Sequence, residues 1–86
     1  MRSSDISYQA LRQFKSVKLK SFMNALERDG FVPTYRQGSD ILYEHPDGRR
    51  LTIHYHPRKE IRNLAGFYLA ATGWNEDDLK RLKLIK

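Results

Sequence analysis

The feature that most constrains the fold is a strict alternation of apolar and polar side chains over residues 50–56. Leu51, Ile53 and Tyr55 are apolar, and the positions between and around them are polar: Arg50, Thr52, His54 and His56. A period of two residues is typical of a strand with one buried and one exposed face. We therefore predict a strand that packs its apolar side on helices and turns its histidines outward.

Turn-forming residues predict two further strands upstream of this one. The segment His45–Gly48 (His-Pro-Asp-Gly) combines residue types that favour a tight turn. Residues 41–45 and 50–56 are therefore predicted to form a hairpin. Upstream, Pro33 excludes a helix and predicts a first strand over residues 31–35, near the edge of the sheet.

Helices are predicted before and after the strands. Leu19, Phe22, Met23 and Leu26 recur at helical spacing, and Gly30 is a natural residue to end that helix. The second helix is predicted over residues 62–72, with Gly73 as its stop, and Asn75 is predicted to cap a last short helix. The fold class is thus α+β: an α-β-β-β-α sandwich whose three-stranded antiparallel sheet carries its helices on one face.

The N-terminal segment has a weaker pattern than the rest. Ile6, Ala10 and Phe14 have helical spacing, but the segment is otherwise polar. We predict that residues 1–16 are a loosely held N-terminal extension with a short helix, and that residues 17–86 form the domain.

Composition excludes several classes of protein. A chain of 86 residues is one small domain. Because cysteine is absent, disulfide frameworks, thiol catalysis and cysteine-based zinc sites are excluded. No apolar segment approaches the roughly 18 residues that a membrane span requires. We expect a cytoplasmic protein with no membrane partner and no cofactor.

The basic residues are clustered within an overall charge of +6. Residues 1–20 and residues 49–62 each hold five basic residues against one acidic residue, and residues 80–86 hold four basic residues and no acid. Such clusters attract polyanions, of which nucleic acid is the commonest. A charged surface that only keeps the protein soluble is the alternative.

Four motifs follow one another in a characteristic order: residues 19–31 (LKSFMNALERDGF), Gln37-Gly38-Ser39, residues 43–49 (YEHPDGR) and His56. In this order they resemble the HicA-type toxins of bacterial toxin–antitoxin pairs, over about residues 17–82. The resemblance implies a double-stranded-RNA-binding-domain-like fold and a metal-independent mRNA interferase without a cofactor. It also implies a cognate HicB-like antitoxin that covers the active face.

The chain departs from the family at the catalytic position. The family motif is Gly-Ser-His with a catalytic histidine, and the matching residues are Gly38, Ser39 and Asp40. A histidine, with an unperturbed pKa of about 6.5, both accepts and donates protons near neutrality. An aspartate, unperturbed near 3.9, is a weaker base and no acid at pH 7. The activity is therefore either weakened or lost, or carried by another group.

The candidate site contains three catalytic residues, namely Asp40 together with His54 and His56 on one face of the predicted strand. The predicted RNA contacts are the residues around them: Gly38, Ser39, Arg36, Arg49, Arg50, Arg58 and Lys59. Two alternatives stay open for the histidines, namely a plain polar sheet face and a zinc site completed by Asp40.

Other candidate residues have simpler interpretations. His45, beside the proline of the turn, is predicted to serve that turn rather than catalysis. Two aromatic residues, Tyr35 and Trp74, are predicted to be free for stacking on bases. Four others are predicted to form the core, namely Tyr43, Tyr55, Phe67 and Tyr68. The predicted function is a toxin that cleaves mRNA, and the alternative is a non-catalytic module that binds RNA or the antitoxin.

Overall fold

The structure is a computed structural model that describes residues 6–86. Its antiparallel sheet has the strand order β1-β2-β3, with β1 at Val32–Gln37, β2 at Asp40–Glu44 and β3 at Arg50–His54. The helices are α1 (Tyr8–Lys15) and α2 (Leu19–Arg28) before the sheet, and α3 (Ala65–Thr72) and α4 (Glu76–Arg81) after it. The predicted α+β class and the three-stranded antiparallel sheet are confirmed.

The helices cover only one face of the sheet. Ile41 and Tyr43 on β2, and Leu51 and Ile53 on β3, are at most 4% exposed. The residues that alternate with them are exposed or half-buried. This one-sided burial is what the period of two residues predicted.

Aromatic side chains join the helices to one another. Phe22 on α2 stacks on Tyr68 of α3 with ring centroids 4.6 Å apart, and it meets the rings of Phe14 and Trp74 edge-on. Trp74 is 2% exposed, and its indole N–H donates to Asp29 at 2.9 Å. The prediction that Trp74 is free to stack on bases is therefore wrong.

The helix α1 belongs to this core. Ser7 caps its start by accepting the Ala10 N–H at 3.1 Å, and both Ala10 and Phe14 are buried. The prediction of a loosely held segment is therefore wrong for residues 8–15, because two turns of α1 pack against the other helices. Residues 1–5 of the predicted extension lie outside the described residues, and the boundary at residue 16 stays a prediction.

The ends of the strands differ from the sequence prediction. The third strand ends at His54 rather than His56, because β2 begins at Asp40 and no β2 residue remains to pair beyond His54. Likewise β1 begins and ends later than predicted, and its register shifts between Pro33 and Tyr35. Strand ends therefore follow the partner strand as well as the local pattern.

The chain is irregular directly before α3. Residues 62–64 form a 3₁₀ turn rather than the first turn of an α-helix, because Arg62 has a positive φ of 49°. Gly73, with a φ of 71°, ends α3, and Asn75 caps α4 through a capping box with Asp78, both as predicted. None of the helices in residues 6–86 has the length and apolar character needed to cross a membrane.

Candidate functional site

The exposed face of the sheet consists of three rows of side chains, which we call the open face. Residues that pair directly across strands project on the same side. The rows follow from the register: Gln37, Asp40 and His54; Tyr35, Leu42 and Thr52; Val32, Glu44 and Arg50.

A two-residue loop fixes Asp40 beside β3. Gly38 occupies the first loop position with a φ of 61°, which a type II′ turn requires. The carbonyl of Ser39 then accepts the backbone N–H of Tyr55 at 2.9 Å. The tip of the β1–β2 hairpin is therefore tied to the residue that follows His54.

Ser39, Asp40, His54 and His56 meet at this tip, and we call them the imidazole cluster. The Asp40 carboxylate is hydrogen-bonded to Nδ1 of His54. The Ser39 hydroxyl oxygen lies 3.4 Å from the same nitrogen, and the rings of His54 and His56 have centroids 4.9 Å apart. The structure thus brings together the three residues that the sequence nominated for catalysis.

The contact with Asp40 determines which nitrogen of His54 is available. An ionised carboxylate only accepts hydrogen bonds, so Nδ1 carries the proton in this contact. In the neutral ring, Nε2 then holds the free lone pair. The side chains of His54 and Asp40 are 57% and 54% exposed, so a ligand can reach this nitrogen from solvent.

Besides Gly38 and Ser39 at the hairpin tip, three of the predicted RNA contacts lie on the open face or in the turn after His56. Arg50 is exposed at the far row, and its guanidinium is 3.8 Å from the Glu44 carboxylate. Arg58 is exposed and Lys59 half-buried in the turn after His56, where the Lys59 N–H donates to the His56 carbonyl. These cations are available to a bound anion.

A second histidine-containing group lies at the opposite end of the β2–β3 hairpin. We call Asp29, His45, Asp47 and Arg49 the turn cluster. His45 donates from Nε2 to the Asp29 carbonyl at 2.8 Å and accepts the Asp47 N–H at Nδ1. Gly30 makes this approach possible, because a Cβ there would lie 2.8 Å from the His45 ring. His45 therefore serves the turn, as its position predicted.

Arg49 belongs to the turn cluster rather than to the open face. Its guanidinium pairs with Asp29 at 3.3 Å and Asp47 at 2.8 Å, and it donates to the Thr72 carbonyl. The Arg49 backbone N–H and then its guanidinium lower the pKa of Asp47 below its ordinary range. Because the donors of Arg49 have internal partners, we leave it out of the proposed phosphate contacts.

The remaining site residues take other positions. Arg36 pairs with Ile41 and therefore projects on the helix side of the sheet. Tyr35 is 61% exposed on the open face, as predicted. Phe67 on α3 is 60% exposed and was missed, because that helix is almost wholly apolar and has no polar residue to mark its outer side. Among residues 6–86, no three acidic or histidine side chains are arranged to hold a metal ion.

The chain matches a known protein family over half of its length. The family model for the HicA toxin of bacterial toxin–antitoxin matches residues 20–63 of the 86. This half of the chain contains the whole sheet and the imidazole cluster. No curated protein and no solved structure matches the chain.

Proposed function

The chain belongs to the HicA toxin family, and from that premise we propose that it is a toxin that cleaves mRNA without a metal ion. The observation that carries the proposal is the hydrogen bond between Asp40 and His54, with the His56 ring beside it on an exposed face. The family also implies an antitoxin partner. A HicB-like protein lying over the open face would close the site, and the cytoplasm is where mRNA is found.

Cleavage of RNA without a metal requires a base, an acid and cations. In this proposal, Nε2 of His54 accepts the proton of the ribose 2′-hydroxyl. The 2′-oxygen then attacks the adjacent phosphorus, and the bond from phosphorus to the 5′-oxygen of the next nucleotide breaks. His56 donates the proton that this leaving oxygen requires. The products are a 2′,3′-cyclic phosphate and a free 5′-hydroxyl.

Asp40 acts in this proposal as a positioning residue. Its carboxylate selects the tautomer of His54 and stabilises the imidazolium that forms when the ring takes a proton. The catalytic imidazole of the family motif is then replaced by one on the neighbouring strand, because Asp40 and His54 are directly paired. This pairing explains how an aspartate at the motif position is compatible with activity.

Cations around the imidazole cluster bind the phosphates. Arg58 and Lys59 lie in the turn that directly follows His56. Arg50 lies in the far row of the open face, where it would contact a phosphate further along the strand. Their charges offset the carboxylate of Asp40, which is already paired with His54. Positioned cations stabilise the additional negative charge of the pentacoordinate phosphorus.

A direct test is incubation of the purified chain with a long single-stranded RNA, with and without a chelator. We expect cleavage at the same rate in both, and cleavage that is slower by about 10²-fold or more with His54→Ala. Absence of cleavage by the wild-type chain, even at high concentration, would remove the enzymatic proposal.

A second function, a non-catalytic module that binds RNA or an antitoxin, is favoured by one observation. The Asp40 carboxylate lies at the position of the family's catalytic histidine. A phosphate must approach this position for cleavage, and the negative charge of the carboxylate repels it. Under this alternative, the wild-type chain is inactive and Asp40→His gains cleavage. RNA binding would then be identified by its salt dependence, about 0.7 units in log affinity per unit of log salt for each phosphate on a single strand.

A further inference from the structure

A cavity of about 310 Å³ lies between α2 and the β1 side of the sheet, behind the hairpin tip. Six of its lining residues define its chemistry: Lys20, Met23, Glu27, Arg36, Tyr43 and Tyr55. Ligand sites of this kind combine an apolar wall with a few convergent polar groups, and they range from roughly 300 to 1,000 Å³. This cavity is at the small end of the range, the size for one ring system rather than a folded segment.

The cavity is built by α2, β1 and the residue that follows β3. Lys20, Met23 and Glu27 follow one another along one face of α2 at spacings of three and four residues. Arg36 comes from β1, opposite Ile41, and projects towards α2. Tyr55 follows β3 and packs partly against the core. The site is therefore formed by a helix and the sheet rather than by loops alone.

The cavity and the imidazole cluster are on opposite sides of the same hairpin tip. Tyr55 lines the cavity and directly follows His54, and its backbone N–H is bonded to Ser39 of the imidazole cluster. Arg36 lies two residues before Gly38. An RNA strand that bends around the Gly38-Ser39 loop can therefore contact both places with neighbouring nucleotides.

The polar groups of the cavity suit the edge of a nucleobase. The Tyr43 hydroxyl donates to one Glu27 oxygen at 3.5 Å, and burial followed by the Glu27 charge raises the pKa of Tyr43. The other Glu27 oxygen is free to accept N–H donors. Lys20 and Arg36 supply donors of positive charge, and Tyr55 and Met23 supply an apolar and aromatic wall.

We propose that this cavity binds a nucleobase of the RNA next to the cleaved bond, with a preference for guanine. Guanine is favoured because its N1–H and exocyclic amino group both point towards one carboxylate, while its O6 accepts from a cation. Uracil and cytosine lack this paired set of donors. The inference rests on the proposed function, since it assumes that the bound polymer is RNA.

The test is a binding measurement on RNA that cannot be cleaved. The full chain is titrated into fluorescent 2′-O-methyl hexamers, either all uridine or with one central guanosine, adenosine or cytidine. We expect the guanosine hexamer to bind about tenfold more tightly than the uridine hexamer, within the discrimination usual for a good base contact. Glu27→Ala should remove this preference and leave the affinity for the uridine hexamer within about twofold.

The matched control is Asp77→Ala, which removes an exposed carboxylate on α4, away from the cavity. This variant should keep the guanosine preference. Equal affinity of the wild-type chain for all four hexamers would overturn the proposal, as would a preference that survives Glu27→Ala. Equal affinities are also expected if the cavity serves to bind a side chain of a partner protein instead of a nucleobase.

The outcomes for the cavity and for the proposed function can be told apart. A chain that cleaves long RNA but shows no base preference lacks the base site and keeps the activity. A chain that prefers guanosine but does not cleave keeps the base site and lacks the activity. Thermal unfolding of Glu27→Ala should show a folded chain with a small loss of stability at most, because Glu27 is exposed and only the Tyr43 hydroxyl loses an acceptor.

Discussion

The two ends of the β2–β3 hairpin carry groups of similar composition and opposite character. Each places a histidine beside an aspartate: His45 beside Asp47 in the turn cluster, and His54 beside Asp40 in the imidazole cluster. The His45 side chain is 17% exposed and both of its ring nitrogens have backbone partners. The His54 side chain is 57% exposed and has one nitrogen held by Asp40.

The difference shows what turns a histidine into a candidate for proton transfer. A ring whose nitrogens are both saturated by the fold stabilises the fold and has no lone pair for a ligand. A ring oriented by a single carboxylate, in a side chain that is 57% exposed, keeps its second nitrogen within reach of a ligand. The two histidines therefore offer matched tests of function and of stability.

The largest effect is expected for His54→Ala. Removal of a proton-transferring side chain should lower the cleavage rate by about 10²- to 10⁴-fold. The free energy of unfolding should change by less than about 0.5 kcal/mol, since the side chain is exposed. Rate measurements on a labelled RNA and denaturant unfolding check the two expectations.

The control for this variant is His45→Ala, which should lower stability and leave the cleavage rate of the folded protein unchanged. The comparison of the two clusters would be contradicted if His45→Ala abolished cleavage in a chain that remains folded, or if His54→Ala unfolded it.

The next largest effect is expected for Asp29→Asn in the turn cluster. The Asp29 carboxylate is 14% exposed and accepts from Trp74, Arg49 and Arg81. Its neutralisation should cost about 2–3 kcal/mol of unfolding free energy, because three donors lose a charged acceptor. Urea titration measures this loss. A stability equal to that of the wild type would show that the turn cluster does not join α2, the hairpin and α4.

A smaller effect is expected for Asp40→Asn. In metal sites, removal of a carboxylate that orients a functional histidine typically lowers metal affinity or activity by about 10- to 100-fold. We expect Asp40→Asn to lower kcat by about tenfold. The affinity for RNA should stay equal or increase, since a negative charge beside the phosphate is removed. A loss of affinity with unchanged kcat would show that Asp40 binds RNA rather than positioning His54.

The smallest effect concerns the pH dependence of stability through Asp47. Its pKa is lower in the folded chain than in the unfolded chain, first because its carboxylate accepts the Arg49 N–H. The contact therefore contributes stability that is fully present above about pH 4 and is lost as the pH falls through the lower folded pKa. Asp47→Asn should therefore lose slightly less stability than the wild type as the pH falls below about 4. Added salt should reduce this difference between the two chains, because the Asp47 carboxylate is 48% exposed. A larger loss of stability in acid for the variant than for the wild type would contradict the stabilising role of the Asp47 carboxylate.

The parts of the fold that the sequence predicted are those set by local pattern. The alternation around Leu51 and Ile53 predicted the buried face of β3, and Gly73 and Asn75 predicted the boundary between α3 and α4. Long-range contacts account for what was missed. Trp74 is buried because Asp29, far away in sequence, accepts its N–H.

The candidate site was predictable to a similar extent. The period of two residues placed His54 on the exposed face, and the family motif singled out Asp40. Their hydrogen bond could not be predicted, because it depends on the β2–β3 register and on the type II′ loop at Gly38. The internal partners of Arg49 were likewise hidden, since Asp29 and Thr72 are distant in the sequence.

The central claim is that imidazoles on the open face cleave RNA through its 2′-hydroxyl. The most direct measurement is the chemical identity of the new RNA ends formed by the wild-type chain in the presence of a chelator. The account predicts 2′,3′-cyclic phosphates and 5′-hydroxyls, together with no cleavage of a substrate that is 2′-O-methylated throughout. New ends that carry 3′-hydroxyls and 5′-phosphates, or cleavage of the methylated substrate, would contradict it.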